Sequence, residues 1–277
     1  MRSLIQRLMD IIERLALRPW SRPAAAMAAS IAKTVSTGHP HRIRYSRDGY
    51  WMNRQSGAVF YSPTLHSGSI EGVRRHVEDF WCHGADVGPG AVIIDIGAGI
   101  GDHVLVFSQK VGAQGRVVAI EAHPATARCL KLTVNTNHLA NTSIVEEAAW
   151  DSTATLTMSD ETGHEANAVG TANADIVVPA RRVDDMLAPM NLPRIDLIKM
   201  NIEGAEVRAL SGMPETLARA RAVAVSCHDF LATEASDARR TKAQVIRILE
   251  DAGFTLSTRP QAQFAFLRDY VYGRRSS

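Results

Sequence analysis

The sequence has few cysteines and no long apolar run. Its cysteines, Cys82, Cys129 and Cys227, are far apart in the 277 residues, so they form neither a C-x-x-C pair nor a disulfide framework. This pattern predicts a reducing, cytoplasmic location. No stretch reaches the roughly 20 apolar residues that a membrane-spanning helix needs. Asp10 and Glu13 interrupt the apolar residues near the N-terminus, which is not typical of a secretory signal.

The sequence also lacks an excess of charge of one sign. It has 31 Lys and Arg against 29 Asp and Glu, a net charge of +2, and its basic residues form pairs, such as Arg181-Arg182, but no longer blocks. This balance predicts no nucleic-acid partner. Hydrophobic residues make up 45% and charged residues 22% of the chain, which is ordinary for a globular protein with a sizeable core.

One stretch, Val92–Asp102, organises the rest of the chain. An apolar run suited to a buried parallel strand leads into Gly97, Gly99 and Gly101. The glycines let the backbone turn sharply and leave no Cβ between it and a ligand. Asp102 then begins a helix-like pattern, whose N-terminal N–H groups point back at the turn. Together these features predict a cofactor-binding loop.

The pattern around this stretch predicts an α/β fold with a mostly parallel central sheet, because strands alternate with helices from residue 92 onward. Two runs at the end, Phe254–Ser257 and Gln263–Tyr272, predict an antiparallel hairpin at one edge. Ser159–Ala174 reads as a polar loop between two strands, and His39–Ser69 as a small hairpin over the cofactor site. We divide the chain into a helical and hairpin extension, residues 1–70, and a cofactor-binding domain, residues 71–277.

The first 18 residues predict an amphipathic helix, with apolar residues at helical spacing and arginines mostly between them. Two interpretations stay open for it. The helix docks on the domain or on a second subunit of a homodimer, or it rests on a membrane surface as a peripheral contact.

Two cofactor classes use a strand, a glycine loop and a helix in this way. Dinucleotide enzymes such as NAD(P)-dependent oxidoreductases need G-x-G-x-x-G, whereas the glycines here follow G-x-G-x-G. Asp95, two residues before the first glycine, would oppose a pyrophosphate and favour the amino group or sulfonium of S-adenosylmethionine. Glu121, at the end of the second strand, could accept both ribose hydroxyls of either cofactor.

Three motifs resemble those of the FkbM family of class I, Rossmann-like S-adenosylmethionine-dependent methyltransferases. They are Ile94-Asp-Ile-Gly-Ala-Gly-Ile-Gly101, Val118-Ala-Ile-Glu-Ala-His-Pro124 and Ile195-Asp-Leu-Ile-Lys-Met-Asn-Ile-Glu-Gly-Ala-Glu206. The third is the narrowest marker, since the first two recur in many methyltransferases. The resemblance covers roughly Glu71–Tyr272.

The resemblance implies S-adenosylmethionine as the cofactor and assigns residues to it. The glycine loop would face the methionine part with Asp95 near the amino group, Glu121 would hold the ribose, and the end of the next strand would edge the adenine. The cofactor-binding residues expected on this basis are Asp95, Gly97, Ala98, Gly99, Gly101, His103, Glu121, Ala122, Glu147 and Ala148.

One position departs from the family pattern. The family usually has Asp where this sequence has Asn201, and an amide is a poorer ligand for a hard cation than a carboxylate. We therefore expect no catalytic metal, while Asn201 could still hydrogen-bond a substrate or the cofactor.

Methyl transfer to a hydroxyl benefits from a general base. His228 is the first candidate, because it follows the strand Ala222–Ser226 at the carboxyl end of the sheet, where ligands bind. Glu203 and Glu206 follow the neighbouring strand, and we expect only one of them to face the cleft. Lys199 could pair with one of them, and His123 and His164 read as surface residues.

The resemblance implies an O-methyltransferase acting on a sugar, glycolipid, polysaccharide or polyketide hydroxyl, so the expected partner is a small-molecule or glycan acceptor. Two alternatives stay open at this point. One is an NAD(P)-dependent oxidoreductase, and the other is a methyltransferase fold that has become an inactive interaction module, for which Asn201 gives some support.

Overall fold

The N-terminal part of the chain folds as two helices followed by a three-stranded antiparallel sheet with the strand order β1-β2-β3. The computed structural model describes residues 4–65, 68–159, 174–231 and 240–275. The predicted amphipathic helix is present and ends before Pro19, whose ring cannot continue a helix. The elements of this part are α1 (Leu4–Ala16), α2 (Arg22–Thr37), β1 (His41–Tyr45), β2 (Trp51–Gln55) and β3 (Ala58–Ser62).

The rest of the described chain mostly alternates strands with helices, as the sequence pattern predicts. A wider helical turn, Val77–Trp81, extends the first helix of this part. The elements are α3 (Ile70–His76), β4 (Val92–Ile96), α4 (Asp102–Val111), β5 (Arg116–Ile120), α5 (Pro124–Thr136), β6 (Thr142–Val145), β7 (Ala148–Trp150), β8 (Ala154–Ser159), β9 (Ala174–Arg182), α6 (Val183–Leu187), β10 (Leu197–Met200), α7 (Glu206–Ser211), α8 (Pro214–Arg219), β11 (Ala222–Ser226), α9 (Lys242–Asp251), β12 (Thr255–Thr258), α10 (Ala265–Arg268) and β13 (Tyr270–Arg274).

Seven strands form the central sheet in the order β12-β13-β11-β10-β4-β5-β6. The strands from β11 to β6 pair in parallel, with β4 between β10 and β5. Successive residues of β4 point to opposite faces, so Ile93 packs into one apolar core and Ile94 into the other. The predicted α/β fold with a mostly parallel sheet is confirmed.

The predicted C-terminal antiparallel hairpin is present at one edge of the central sheet, and only its second strand is shorter than predicted. β12 and β13 do pair antiparallel, but β13 lies between β12 and β11 and pairs with both. The predicted strand over Gln263–Tyr272 is wrong in its first part, where Ala265–Arg268 forms a short helix. Sequence proximity of two strands predicts that they pair, but it does not say which of them is the outer one.

A third sheet has three strands in the order β7-β9-β8. Its strands β8 and β9 flank the predicted polar loop Ser159–Ala174, most of which lies outside the described residues. β7 pairs in parallel with β9 directly after the turn that follows β6.

The N-terminal sheet packs on α5 and on Ile100 of the glycine loop, and none of its strands lines the cavity described below. The side chain of Asn137 accepts from the Val59 N–H and donates to the Val59 carbonyl oxygen, at 2.9 and 2.7 Å. The Tyr61 N–H donates to the Thr133 hydroxyl. The predicted position of this hairpin over the cofactor site is therefore wrong for β1–β3, and only the segment that follows β3 reaches the cavity described below.

Candidate active site

A cavity of about 650 Å³ lies at the carboxyl ends of β4, β5, β10 and β11. This is the edge of an open α/β sheet where ligands bind. Most residues singled out in the sequence line it: Gly97, Ala98, Gly99, His103, Glu121, Ala122, Glu147, Ala148, Asn201, Glu203 and His228. Asp95 and Gly101 are not among the lining residues.

The loop after β4 depends on glycine at each alternate position. Gly97, Gly99 and Gly101 have φ values of 75°, 59° and 86°, a region that favours glycine. A Cβ on Gly97 would lie 2.0 Å from the carbonyl oxygen of Asn201. Close approach of the loop after β4 to the loop after β10 therefore requires glycine here. A Cβ on Gly101 would meet the Leu130 side chain at 2.6 Å, so this glycine brings α4 against α5.

Glu121 is held in place by backbone donors. Its Oε2 accepts from the Gly99 N–H at 2.8 Å, and its Oε1 accepts from the His123 N–H at 2.9 Å. Burial raises the pKa of the Glu121 carboxyl, and the two backbone hydrogen bonds oppose that shift. A carboxylate fixed between the glycine loop and the end of β5 suits the bidentate ribose contact that the sequence predicts.

Asp95 lies beneath the glycine loop instead of facing the cavity. Its fully buried carboxylate pairs with the Lys199 ammonium, with 2.7 Å between Oδ1 and Nζ. The same Nζ donates to the Gly97 carbonyl oxygen at 2.6 Å and lies 5.1 Å from the centre of the Trp81 ring. The predicted pairing of Lys199 with Glu203 or Glu206 is therefore wrong, and Lys199 is the partner of Asp95 that lines the cavity.

At the position expected to contact the adenine, the carboxylate of Glu147 already forms a salt bridge. Glu147 and Arg181 form a bidentate pair, with both N–O distances at 2.8 Å. Ala148 and Trp150 lie beside it on the cavity wall. No local sequence pattern connects Glu147 with Arg181, because the pair depends on the parallel pairing of β7 with β9.

The two glutamates after β10 lie on opposite sides of His228. Glu203 has a left-handed φ of 52°, and α7 begins only at Glu206. His228 Nε2 is 3.1 Å from Glu203 Oε1, and Nδ1 is 2.8 Å from Glu206 Oε1. Glu206 is fully buried, whereas Glu203 lines the cavity, so one glutamate faces the cleft, as expected.

This arrangement changes the role of His228. Burial alone lowers the pKa of its imidazole, but hydrogen bonds and charges from Glu203 and Glu206 outweigh that effect and raise the pKa to about 9. The ring is therefore an imidazolium near neutral pH, with both N–H groups directed at carboxylates. A ring in that state cannot accept a proton, so the geometry disagrees with the predicted role of His228 as general base.

An aromatic wall, which sequence patterns do not predict, also lines the cavity. It consists of His76, Trp81, His103 and Tyr270. The rings of Trp81 and Tyr270 lie 4.9 Å apart, and His76 and His103 meet edge to face at 5.0 Å. These residues come from α3 and its extending turn, from α4 and from β13, so no local pattern connects them. The prediction that His103 lines the cofactor site agrees with its position.

Two further histidine predictions have different outcomes. His123 is not a surface residue: it is buried, and its Nδ1 accepts from the Thr126 N–H at the start of α5. The prediction was wrong because a helix-capping role of histidine is not visible from the sequence alone. His164 lies outside the described residues.

Comparison with known proteins now decides the family. The family model described as "Methyltransferase FkbM domain" matches residues 95–256, which is more than half of the chain. The chain belongs to the FkbM methyltransferase family. It is therefore a methyltransferase that uses S-adenosylmethionine, and the oxidoreductase alternative is set aside.

The chain is also similar to several solved structures. A Klebsiella pneumoniae protein with a proposed O-methyltransferase activity is 10% identical, with 99% of this chain and 100% of that one covered and a TM-score of 0.50. Precorrin-6y C5,15-methyltransferase from Geobacter metallireducens is 13% identical, covers 78% and 95%, and has a TM-score of 0.45. Aeropyrum pernix fibrillarin, solved with natively bound S-adenosyl-L-methionine, is 13% identical, covers 83% and 91%, and has a TM-score of 0.43. No curated protein matches the chain.

The cavity of this FkbM-family chain fits S-adenosylmethionine. Its volume lies in the range of small-molecule sites, and the glycine loop leaves backbone atoms bare beside the fixed Glu121 carboxylate. Glu121 would hold the ribose, and the methionine part would lie against the backbone of Gly97 and Gly99. S-adenosylmethionine is a cation at its sulfonium, and Asp102 and Glu121 line the cavity beside the Glu147–Arg181 and Glu203–His228 pairs.

Proposed function

We propose that this methyltransferase is an O-methyltransferase acting on a hydroxyl of a sugar, glycolipid, polysaccharide or polyketide. When bound, S-adenosylmethionine supplies an electrophilic methyl group on a sulfonium, and its sulfur leaves as a neutral thioether. The remaining requirements are an acceptor oxygen held in line with the methyl group and a group that takes its proton.

The observation that carries the proposal is the position of Glu203. Its carboxylate lines the cavity, and the left-handed backbone together with His228 fixes it there. The hydroxyl proton of the acceptor passes to a Glu203 carboxylate oxygen as the new C–O bond forms. His228 is then a positioning residue, anchored in turn by the buried Glu206, whose Oε2 accepts from the Thr241 hydroxyl at 2.9 Å.

The aromatic wall supports a sugar or another flat, partly apolar acceptor. Trp81 and Tyr270 line the cavity with little of their rings exposed, and the neighbouring His76 and His103 hydrogen-bond to each other at 3.4 Å. Sugars present apolar C–H faces together with hydroxyls, so a wall of this composition matches both. Asn201 adds an amide at the end of β10, able to donate to or accept from a hydroxyl.

The test combines labelled S-adenosylmethionine with lipid, polysaccharide and small-molecule fractions of the source cell. Label in a carbohydrate-containing fraction, stable to conditions that hydrolyse esters, supports an ether-forming O-methyltransferase. Label only on amines or carbon would contradict the proposal. Cofactor binding without label in any fraction would favour the inactive interaction module.

The role of Glu203 is tested with the accepting fraction. We expect Glu203→Gln to lower turnover by about two to four orders of magnitude, with cofactor affinity unchanged in calorimetry. His228→Gln should reduce turnover less, because it misplaces the base without removing it. Glu250→Gln, an exposed glutamate on α9, is the matched control. Wild-type turnover in Glu203→Gln would exclude this base.

A further inference from the structure

Helix α1 and the turn that follows it leave a row of large apolar side chains exposed. Leu8, Ile11 and Leu15 on α1 are 45, 56 and 39% exposed, and Leu17 and Trp20 in the turn that follows are 77 and 76% exposed. We call these five residues the N-terminal apolar face. Soluble monomers seldom expose contiguous large apolar side chains unless the surface binds something.

Helix α1 has two apolar stripes, and only one of them packs against the rest of the protein. At about 100° per residue, Met9, Ile12 and Ala16 form one apolar stripe, which is buried. Leu8, Ile11 and Leu15 form a second stripe beside it that widens the apolar side beyond what the protein covers. The apolar part of α1 is therefore wider than its contact with the domain needs.

A row of arginines borders the exposed stripe on its other side. At the same helical spacing, Arg7 and Arg14 lie next to Ile11 and Leu15, and Arg18 continues the row beyond the helix end. All three are exposed. Asp10 and Glu13 lie farther around the helix. An apolar stripe flanked by arginines, with tryptophan at its end, is the composition of helices that lie in a membrane interface.

The turn that carries Leu17 and Trp20 is fixed. The buried Ser21 hydroxyl interacts with the carbonyl oxygens of Leu15 and Arg18, at 2.5 and 3.1 Å. These hydrogen bonds fix the backbone of the turn, so the side chains of Leu17 and Trp20 point toward solvent in the folded protein. Presenting them requires no rearrangement.

The positive charge of the chain is concentrated in the N-terminal part that carries this face. Residues 1–65 contain ten Lys and Arg but three Asp and Glu, a net charge of +7. Because the whole chain has +2, residues 66–277 have −5. A basic part joined to an acidic part indicates an anionic partner for the basic part.

We propose that the N-terminal apolar face is a docking surface for an anionic lipid membrane, on which α1 lies in the interface plane. The arginines would meet lipid phosphates while Trp20 and the leucines enter the boundary between headgroups and acyl chains. A second copy joined through the same face would bring two strongly basic surfaces together, which charge disfavours. No helix among the described ranges is long and apolar enough to cross a bilayer, so the proposed contact is peripheral.

The proposal is tested by flotation of the full chain with vesicles. We expect binding to phosphatidylcholine vesicles with about one third phosphatidylserine, and weak binding to phosphatidylcholine alone or at high salt. Replacing Arg7, Arg14 and Arg18 by Gln should weaken binding about a hundredfold, because each arginine near an anionic surface contributes about fivefold. Leu17→Ser with Trp20→Ser should abolish flotation.

Three controls keep the result interpretable. Val177→Ser removes an apolar side chain of similar exposure from β9 and should leave flotation unchanged. Circular dichroism and S-adenosylmethionine binding should match wild type in every variant, since none of the altered residues lines the cavity. Sedimentation should show a monomer. No flotation of the wild-type chain, or a dimer that Leu17→Ser with Trp20→Ser dissociates, would overturn the proposal whatever the acceptor of the methyl group is.

Discussion

The two glutamates around His228 make stability depend on pH in a defined window. The pKa of His228 is about 9 in the folded protein and 6.5 in an unfolded chain. Below pH 6.5 both states hold the proton, and the full stabilisation is present. Between these values only the unfolded state loses it, so the free energy of unfolding falls by about 1.4 kcal/mol per pH unit. Over the window this amounts to about 3 kcal/mol, and the side chain is only 5% exposed, so solvent screens it little.

The measurement is urea unfolding of three proteins at steps from pH 6.5 to pH 9. Wild type should lose this stability, and His39→Gln, which changes an exposed histidine, should lose the same amount. His228→Gln should begin less stable and show a smaller slope. The comparison ends at pH 9 because burial raises the pKa of Cys82 and of Cys129 to about 12. The unfolded thiols, with an ordinary pKa of 9.0, begin to ionise near the upper end of this window and would ionise almost completely above it, in all three proteins.

The difference between wild type and His228→Gln is the informative quantity, because contributions from all other groups cancel in it. If that difference stays constant across the window, His228 does not hold an extra proton in the folded state. The assignment of His228 as a positioning imidazolium would then be refuted, and the result would favour His228 as a neutral general base.

Three further predictions concern the cofactor loop. Lys199→Met should destabilise the protein by about 3–5 kcal/mol in urea unfolding, because it leaves the Asp95 carboxylate buried without its partner; adding Asp95→Asn should recover part of that loss, and no recovery would contradict the pairing. Glu121→Gln should weaken S-adenosylmethionine binding about 10- to 100-fold in calorimetry by removing a charged acceptor, and unchanged affinity would exclude the ribose contact. Gly97→Ala should be clearly less stable than Gly90→Ala, because both glycines have a left-handed φ but only Gly97 has backbone within reach of a new Cβ; equal losses would mean that the close approach does not matter.

Local patterns predict the elements around the glycine loop well. The strand that leads into the glycines begins at Val92 and the helix after them begins at Asp102, as the sequence predicts. These elements follow from short-range rules, namely β-branched runs, glycine punctuation and helical spacing. Glu121 follows the last residue of β5 and lines the cavity, as its place after a predicted strand indicates.

The interactions inside the site were harder to predict, because they join distant parts of the chain. Lys199 meets Asp95 because β10 lies beside β4 in a fixed register. His228 meets two glutamates because the left-handed backbone at Glu203 delays the start of α7. A residue list from one sequence can place these groups at the same edge of the sheet. It cannot say which of two acids pairs with a given base.

The place of β13 in the sheet has a consequence for how the chain folds. It joins residues 270–274 to both β11 and β12, so the outer part of the sheet cannot be completed until the final residues of this strand are available. Until then β11 has an open edge on that side, and β12 has no neighbour in the sheet. During synthesis the nascent protein would carry an unpaired strand edge of the kind that invites aggregation, and its outer sheet would close in one late, long-range step.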